Sequence, residues 1–127
     1  MGKKERAQVL RDEKGVHYNC CQAVLIPFAT DCGLEEHVAA DIAANFGSGM
    51  RHGATCGAIT GALMVLGLKG KGGEETQRLL DAFQEKNGCL TCRELLSRME
   101  AEGLERKPFC DGKVGDAVEL LEEMLKD

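Results

Sequence analysis

The stretch CGAITGALMVLGL, residues 56–68, constrains the fold most, because it is apolar on nearly every side and must be buried. The surrounding apolar run, residues 54–68, falls short of the roughly 20 residues that span a bilayer. It also contains two threonines. Such a segment belongs at the centre of a helical bundle. Gly57 and Gly61 are four positions apart, as are Ala58 and Ala62. Each pair faces one direction, so neighbouring backbones can approach closely there.

The remaining chain reads as helices packed around that centre. No stretch alternates apolar and polar residues for long, and no strand–helix–strand rhythm appears, so the expected class is all-α. Apolar spacing predicts a charged leading helix over 4–13 and a second helix over 20–31 with Cys20, Val24 and Phe28 on one stripe. Pro27 should bend or shorten that second helix. Cys32-Gly33-Leu34 reads as its stop, with Gly33 left-handed and Leu34 packing back. A third helix is expected over 34–46 on the stripe Leu34, Val38, Ile42 and Phe46, then a flexible loop over 47–53. The central helix follows over 56–68, and a fifth over 74–86 turns Thr76, Leu79, Leu80 and Phe83 inward. A short sixth helix begins after Thr91, and a last one covers 112–126 with Val114, Ala117, Val118, Leu121 and Leu125 inward. The expected architecture is a compact single-domain bundle of about five to seven helices over 1–127, in which 1–15 form a loosely packed leading helix. Met50, Met64, Met99 and Met124 are expected as core or near-core filler.

Charge narrows the function classes. The formal net charge is −5, with both signs mixed along the chain, which argues against a nucleic-acid surface. The opening MGKKERAQVLRDEKG is too charged for a signal peptide. A cytoplasmic protein without membrane insertion is expected. Seven cysteines are many for such a protein, and an odd number fits a secreted disulfide framework poorly.

The positions of the cysteines are informative. Asn19 precedes Cys20, with Gln22 three residues after Asn19; Thr91 precedes Cys92, with Glu94 three residues after Thr91. Both are capping-box patterns. Thr55 is a good cap before Cys56, so three thiols are expected at the first position of a capped helix. Cys110 precedes Asp111, itself an expected cap for the last helix. A helix N-terminus carries unpaired amides and roughly half a positive charge, so thiolates are stabilised there. Converging ends would form a pocket for negative charge, such as four thiolates around a metal or cluster. Zinc held by Cys20, Cys56, Cys92 and Cys110 fits that pattern, as does a metal-free dithiol. Cys89-x-x-Cys92 lacks the strand–helix setting of a thioredoxin motif. His52, four residues before Cys56, reads as an exposed loop histidine, and His17 and His37 as surface residues. The pairs Glu35-Glu36, Glu74-Glu75 and Glu122-Glu123 read as solvated faces, and no catalytic residue for a substrate reaction is evident.

The blocks NCCQAVL (19–25), TCGAITGALMVLGL (55–68), CRELL (92–96) and FCDGKVGDAVELLEEML (109–125) together resemble the small C-GCAxxG-C-C redox-active proteins. The resemblance runs from about Val16 to the C-terminus. It implies that the four marker cysteines are Cys20, Cys56, Cys92 and Cys110, with Gly57, Ala58 and Gly61 completing the glycine-rich element behind them. The family element is written Gly-Cys-Ala; here the order is Cys-Gly-Ala. A related domain in split-Soret cytochromes looks like the carrier of a two-iron cluster, so the resemblance implies an iron–sulfur cluster, 2Fe-2S in type, on these four thiols. The chain has no Cys-x-x-Cys-His haem site. The expectation is a redox protein for electron transfer or redox sensing, with an unidentified redox partner protein, no nucleic acid, and either monomer or homodimer. Zinc is the lesser cofactor expectation.

Overall fold

A computed structural model describes residues 2–126, so the first and last residues of the expected 1–127 domain lie outside the described residues. Among the described residues there are seven α-helices and no strand: α1 (Lys3–Asp12), α2 (Cys20–Ala29), α3 (Glu36–Ala43), α4 (Gly57–Leu68), α5 (Gly73–Asn87), α6 (Cys92–Ala101) and α7 (Arg106–Met124). The all-α expectation holds. No helix among the described residues is long and apolar enough to cross a membrane.

The central position of α4 follows from its sequence. Ala58, Ile59, Ala62, Val65 and Leu66 are essentially inaccessible, and α2 is its most extensive neighbour. The glycines make that contact close. A Cβ on Gly61 would stand 2.7 Å from the carbonyl oxygen of Cys21, and one on Gly57 would stand 2.9 Å from that of Phe46 and 3.3 Å from the Cys20 Cβ. No side chain fits at either position, so α2 and α4 pack backbone to backbone at the ends that carry Cys20 and Cys56.

Local signals behave as their chemistry requires. Asn19 caps α2: its side chain accepts from the Gln22 amide at 2.8 Å, and the Gln22 side chain accepts from the Asn19 amide at 2.8 Å. Pro27 sits inside α2, which tightens into a 3₁₀ turn at Thr30–Cys32 and stops at the left-handed Gly33. The Leu34 amide then returns to the Ala29 carbonyl.

Four expectations need correction. The third helix starts at Glu36 and ends at Ala43, and it buries Ala39 and Ala43; Ile42 is 50% exposed, so the expected stripe is displaced by one residue. The small alanines let α3 lie close to α2, and the larger side chains splay to the edges. Met50 is exposed rather than core filler. The last helix begins at Arg106, six residues before the expected 112, because Pro108 lies in the first turn, where its missing amide has no helical partner to lose. Finally, α1 is docked, not loose. Ala7 and Leu10 are buried, and Lys3–Asp31, Lys4–Glu119, Arg6–Glu36 and Arg11–Asp111 ion pairs tie it to the rest of the chain.

Candidate redox site

Three local devices bring distant cysteines to one place. The close α2–α4 contact sets Cys20 beside the start of α4. A two-residue antiparallel bridge, Thr55 to Thr91, joins the segments that lead into α4 and α6. Its hydrogen bonds run from the Cys56 amide to the Leu90 carbonyl (2.8 Å) and from the Cys92 amide to the Ala54 carbonyl (2.7 Å). They fix the two cysteine backbones in register. Arg11 then anchors α7 next to α2: it pairs with Asp111 (2.8 Å) and donates to the Tyr18 carbonyl (3.0 Å), and both side chains of the pair are about nine-tenths buried.

The result is a cavity of about 470 Å³ onto which Cys20, Cys56, Cys92 and Cys110 all open. The opening residues of α2, α4, α6 and α7 meet around it. Cys20 and Cys92 occupy the first helical positions behind Asn19 and Thr91, and the Thr91 hydroxyl accepts from the Glu94 amide at 3.3 Å. Two thiols differ from the expected address. Cys56 is itself the cap residue of α4, because the bridge to Thr91 draws Thr55 into extended backbone. Cys110 lies inside α7, and Asp111 caps nothing; it serves the ion pair with Arg11. The other three cysteines do not line the cavity. Cys21 is fully buried against Met64, its sulfur 3.8 Å from the Met64 sulfur, Cys89 is core, and Cys32 lies in the 3₁₀ turn; all seven are free thiols.

The surroundings are electropositive. Arg11, Arg106, Lys107, Lys113 and His17 line the cavity, and among the described residues no carboxylate does. The thiols respond. The neighbouring Cys20 thiol pulls Cys110 down to about 6 against the opposing effect of burial, and the Arg106 and Arg11 charges pull the same way. The neighbouring Cys110 thiol, with burial, pushes Cys20 well above the ordinary thiol range. Burial pushes Cys56 up to about 11, although the Ala58 and Ile59 amides draw its sulfur toward the thiolate. Burial takes Cys21, away from the cations, to about 12. Among the described residues, no three His, Cys, Asp or Glu side chains gather closely enough to hold one metal ion.

The basic lining was missed in the sequence, and one signal there could have found it. Arg106 and Lys107 occupy the first two positions of α7, at the positive end of the helix dipole, where acidic residues are favoured. Lys107 is answered there by Asp12 and Asp111, whereas Arg106 makes no ion pair among the described residues and opens onto the cavity.

The family model described as "Putative redox-active protein (C_GCAxxG_C_C)" matches residues 18–124. The chain belongs to this family. Comparisons with curated proteins and with solved structures gave no match.

Proposed function

We propose that Cys20, Cys56, Cys92 and Cys110 hold an iron–sulfur cluster of the two-iron type, and that this member of a redox-active family works in electron transfer or redox sensing. The observation that carries the reading is the meeting of four thiols from four helices on one carboxylate-free cavity. The donor set fits the group. Four thiolates ligate such a cluster, two to each iron, so they need not converge on one point as a tetrahedral zinc site requires.

When bound, a cluster of this kind takes up and returns one electron. This chain's residues would do the rest. The cations offset the negative charge of four thiolates, the amides at the start of α4 face the Cys56 sulfur, and Leu95 and Phe109 keep part of the wall dry. The cations and amides favour the more negative, reduced state and so raise the potential, against the opposing pull of the dry wall.

One specific observation favours a second reading. Cys20 and Cys110 open onto the same cavity, where the Cys20 thiol and the Arg106 and Arg11 charges make Cys110 the readier thiolate. In a metal-free cycle these two thiols would form one disulfide and release two protons and two electrons to an oxidant.

Analysis of anaerobically purified protein separates the readings. The cluster reading expects brown protein with iron and acid-labile sulfide in equal amounts. Colourless protein whose thiol titre falls by two on oxidation supports the dithiol, and stoichiometric zinc without sulfide supports a structural metal; either result refutes the cluster.

A further inference from the structure

We propose that the mouth of the thiol cavity is the docking face for an acidic electron-transfer protein. The chain carries a net charge of −5, yet its cavity is ringed by cations. Arg11 and Lys107 are neutralised by Asp111 and Asp12. Arg51, Arg93, Arg106 and Lys113 make no ion pair among the described residues.

Arg106 and Lys113 line the cavity, while Arg51 lines an adjoining hollow that shares His17 and Ser48 with it and Arg93 lies beside that turn on α6. Arg106 donates to the Ser48 hydroxyl (3.1 Å), and Ser48 lines the cavity. Arg51 lies three residues further along the same turn and is exposed. Arg93 donates to the carbonyl of the next residue, His52 (3.0 Å). Lys113 lies over the Phe109 ring, 4.4 Å from its centroid, and Phe109 also lines the cavity. The turn is shaped by three non-glycine residues in the left-handed region, Ser48, Met50 and Arg51, at φ of 53°, 58° and 65°. Each such residue costs about 1 kcal/mol or more. The contacts of Arg93 and Arg106 hold the turn in this shape, which leaves Met50 38% exposed beside Arg51.

A basic rim whose cations make no ion pair suits a broad acidic surface, which such a rim steers and orients. A small anion would instead call for buried, converging donors, and these cations are mostly exposed around the opening. The partner's class rests on the redox reading of the cavity; its charge rests on the rim alone.

The test is binding of the purified full-length chain to dye-labelled flavodoxin, an acidic electron-transfer protein, followed by fluorescence anisotropy. Binding is expected to fall steeply with added salt. The Arg93→Gln/Lys113→Gln double variant should bind about fivefold more weakly or worse. The charge-keeping Arg93→Lys/Lys113→Arg variant should bind like the parent, as should Lys69→Gln/Lys71→Gln, which removes two exposed charges elsewhere. Equal weakening by both neutralised pairs, preference for basic cytochrome c, or displacement of flavodoxin by millimolar inorganic phosphate at constant ionic strength would each overturn the proposal. The measurement reads charge recognition whether or not iron is bound, so its failure leaves the cluster reading standing, and the reverse also holds.

Discussion

The close α2–α4 contact makes a quantitative prediction at Gly61. A methyl group there would meet the Cys21 carbonyl oxygen at 2.7 Å and the Val24 Cβ at 3.1 Å, whereas ordinary contact begins at about 3.4 Å. The helices would have to part by roughly 0.7 Å at a point where both are buried, so Gly61→Ala overpacks the core at a cost of about 1–3 kcal/mol. Alanine returns about 0.5–1 kcal/mol through its better helix propensity. The net expectation is destabilisation centred on about 1 kcal/mol and reaching at most about 2.5 kcal/mol, a fall in Tm of about 4 °C and at most about 9 °C for a chain of this size. Gly67, in the same helix, supplies the control. A Cβ there meets nothing within 4 Å, so Gly67→Ala should stabilise by about 0.5–1 kcal/mol. Urea unfolding followed by helical circular dichroism measures both. Because α2 carries Cys20 and α4 carries Cys56, the Gly61 variant should also retain less iron. If Gly61→Ala is as stable as the parent, or if both variants shift in the same direction, the claim that missing side chains set the distance between the two thiols is wrong.

Other consequences can be measured alongside. Asn19→Ala removes the side-chain half of the cap on α2, the acceptor for the Gln22 amide, and its bonds to the Ala43 and Ala44 carbonyls, and should cost about 1–2 kcal/mol in denaturant unfolding. Asp111→Asn leaves Arg11 without its charge partner and should cost about 2–3 kcal/mol. Burial alone would raise the Asp111 carboxyl, but Lys107, Arg11 and Gln8 outweigh it and hold it below the ordinary range. Its contribution to stability is therefore complete above the unfolded carboxylate range and is lost as pH falls through the depressed folded value, so Asp111→Asn should flatten the acid limb of a stability–pH curve. In iron-free protein, Cys110 should be the first thiol alkylated at neutral pH, with a rate that rises through about pH 6, and Cys21 the slowest; mass mapping of alkylated peptides checks the order.

The sequence reveals much of this fold because its strongest signals are local. The glycine-rich apolar run marks the buried helix, Asn19-x-x-Gln22 marks the start of α2, and Cys32-Gly33-Leu34 marks its stop. The misreadings come from tertiary context. Thr55 looks like a cap, but it is drawn into a bridge with a residue 36 positions away. Ile42 outranks Ala39 in hydrophobicity, yet close helix packing selects the smaller residue for the interior. The last helix starts before the expected 112 because Pro108 costs little in a first turn. The meeting of the four thiols draws on contacts far apart in the chain, such as Arg11 with Asp111, and local spacing carries no trace of these. Likewise the cations around the opening come from three separate segments, and only the opposed charges at the start of α7 announce them.

Replacing each of the seven cysteines by serine in turn, and measuring iron and sulfide in the anaerobically purified variants, tests the four-thiol centre most directly. The account predicts two irons and two sulfides per chain in the parent and in the Cys21→Ser, Cys32→Ser and Cys89→Ser variants, with marked loss on substitution of Cys20, Cys56, Cys92 or Cys110. Retention of full iron after loss of any cavity thiol, or its disappearance when Cys21 or Cys89 is changed in a chain that still folds, would contradict it.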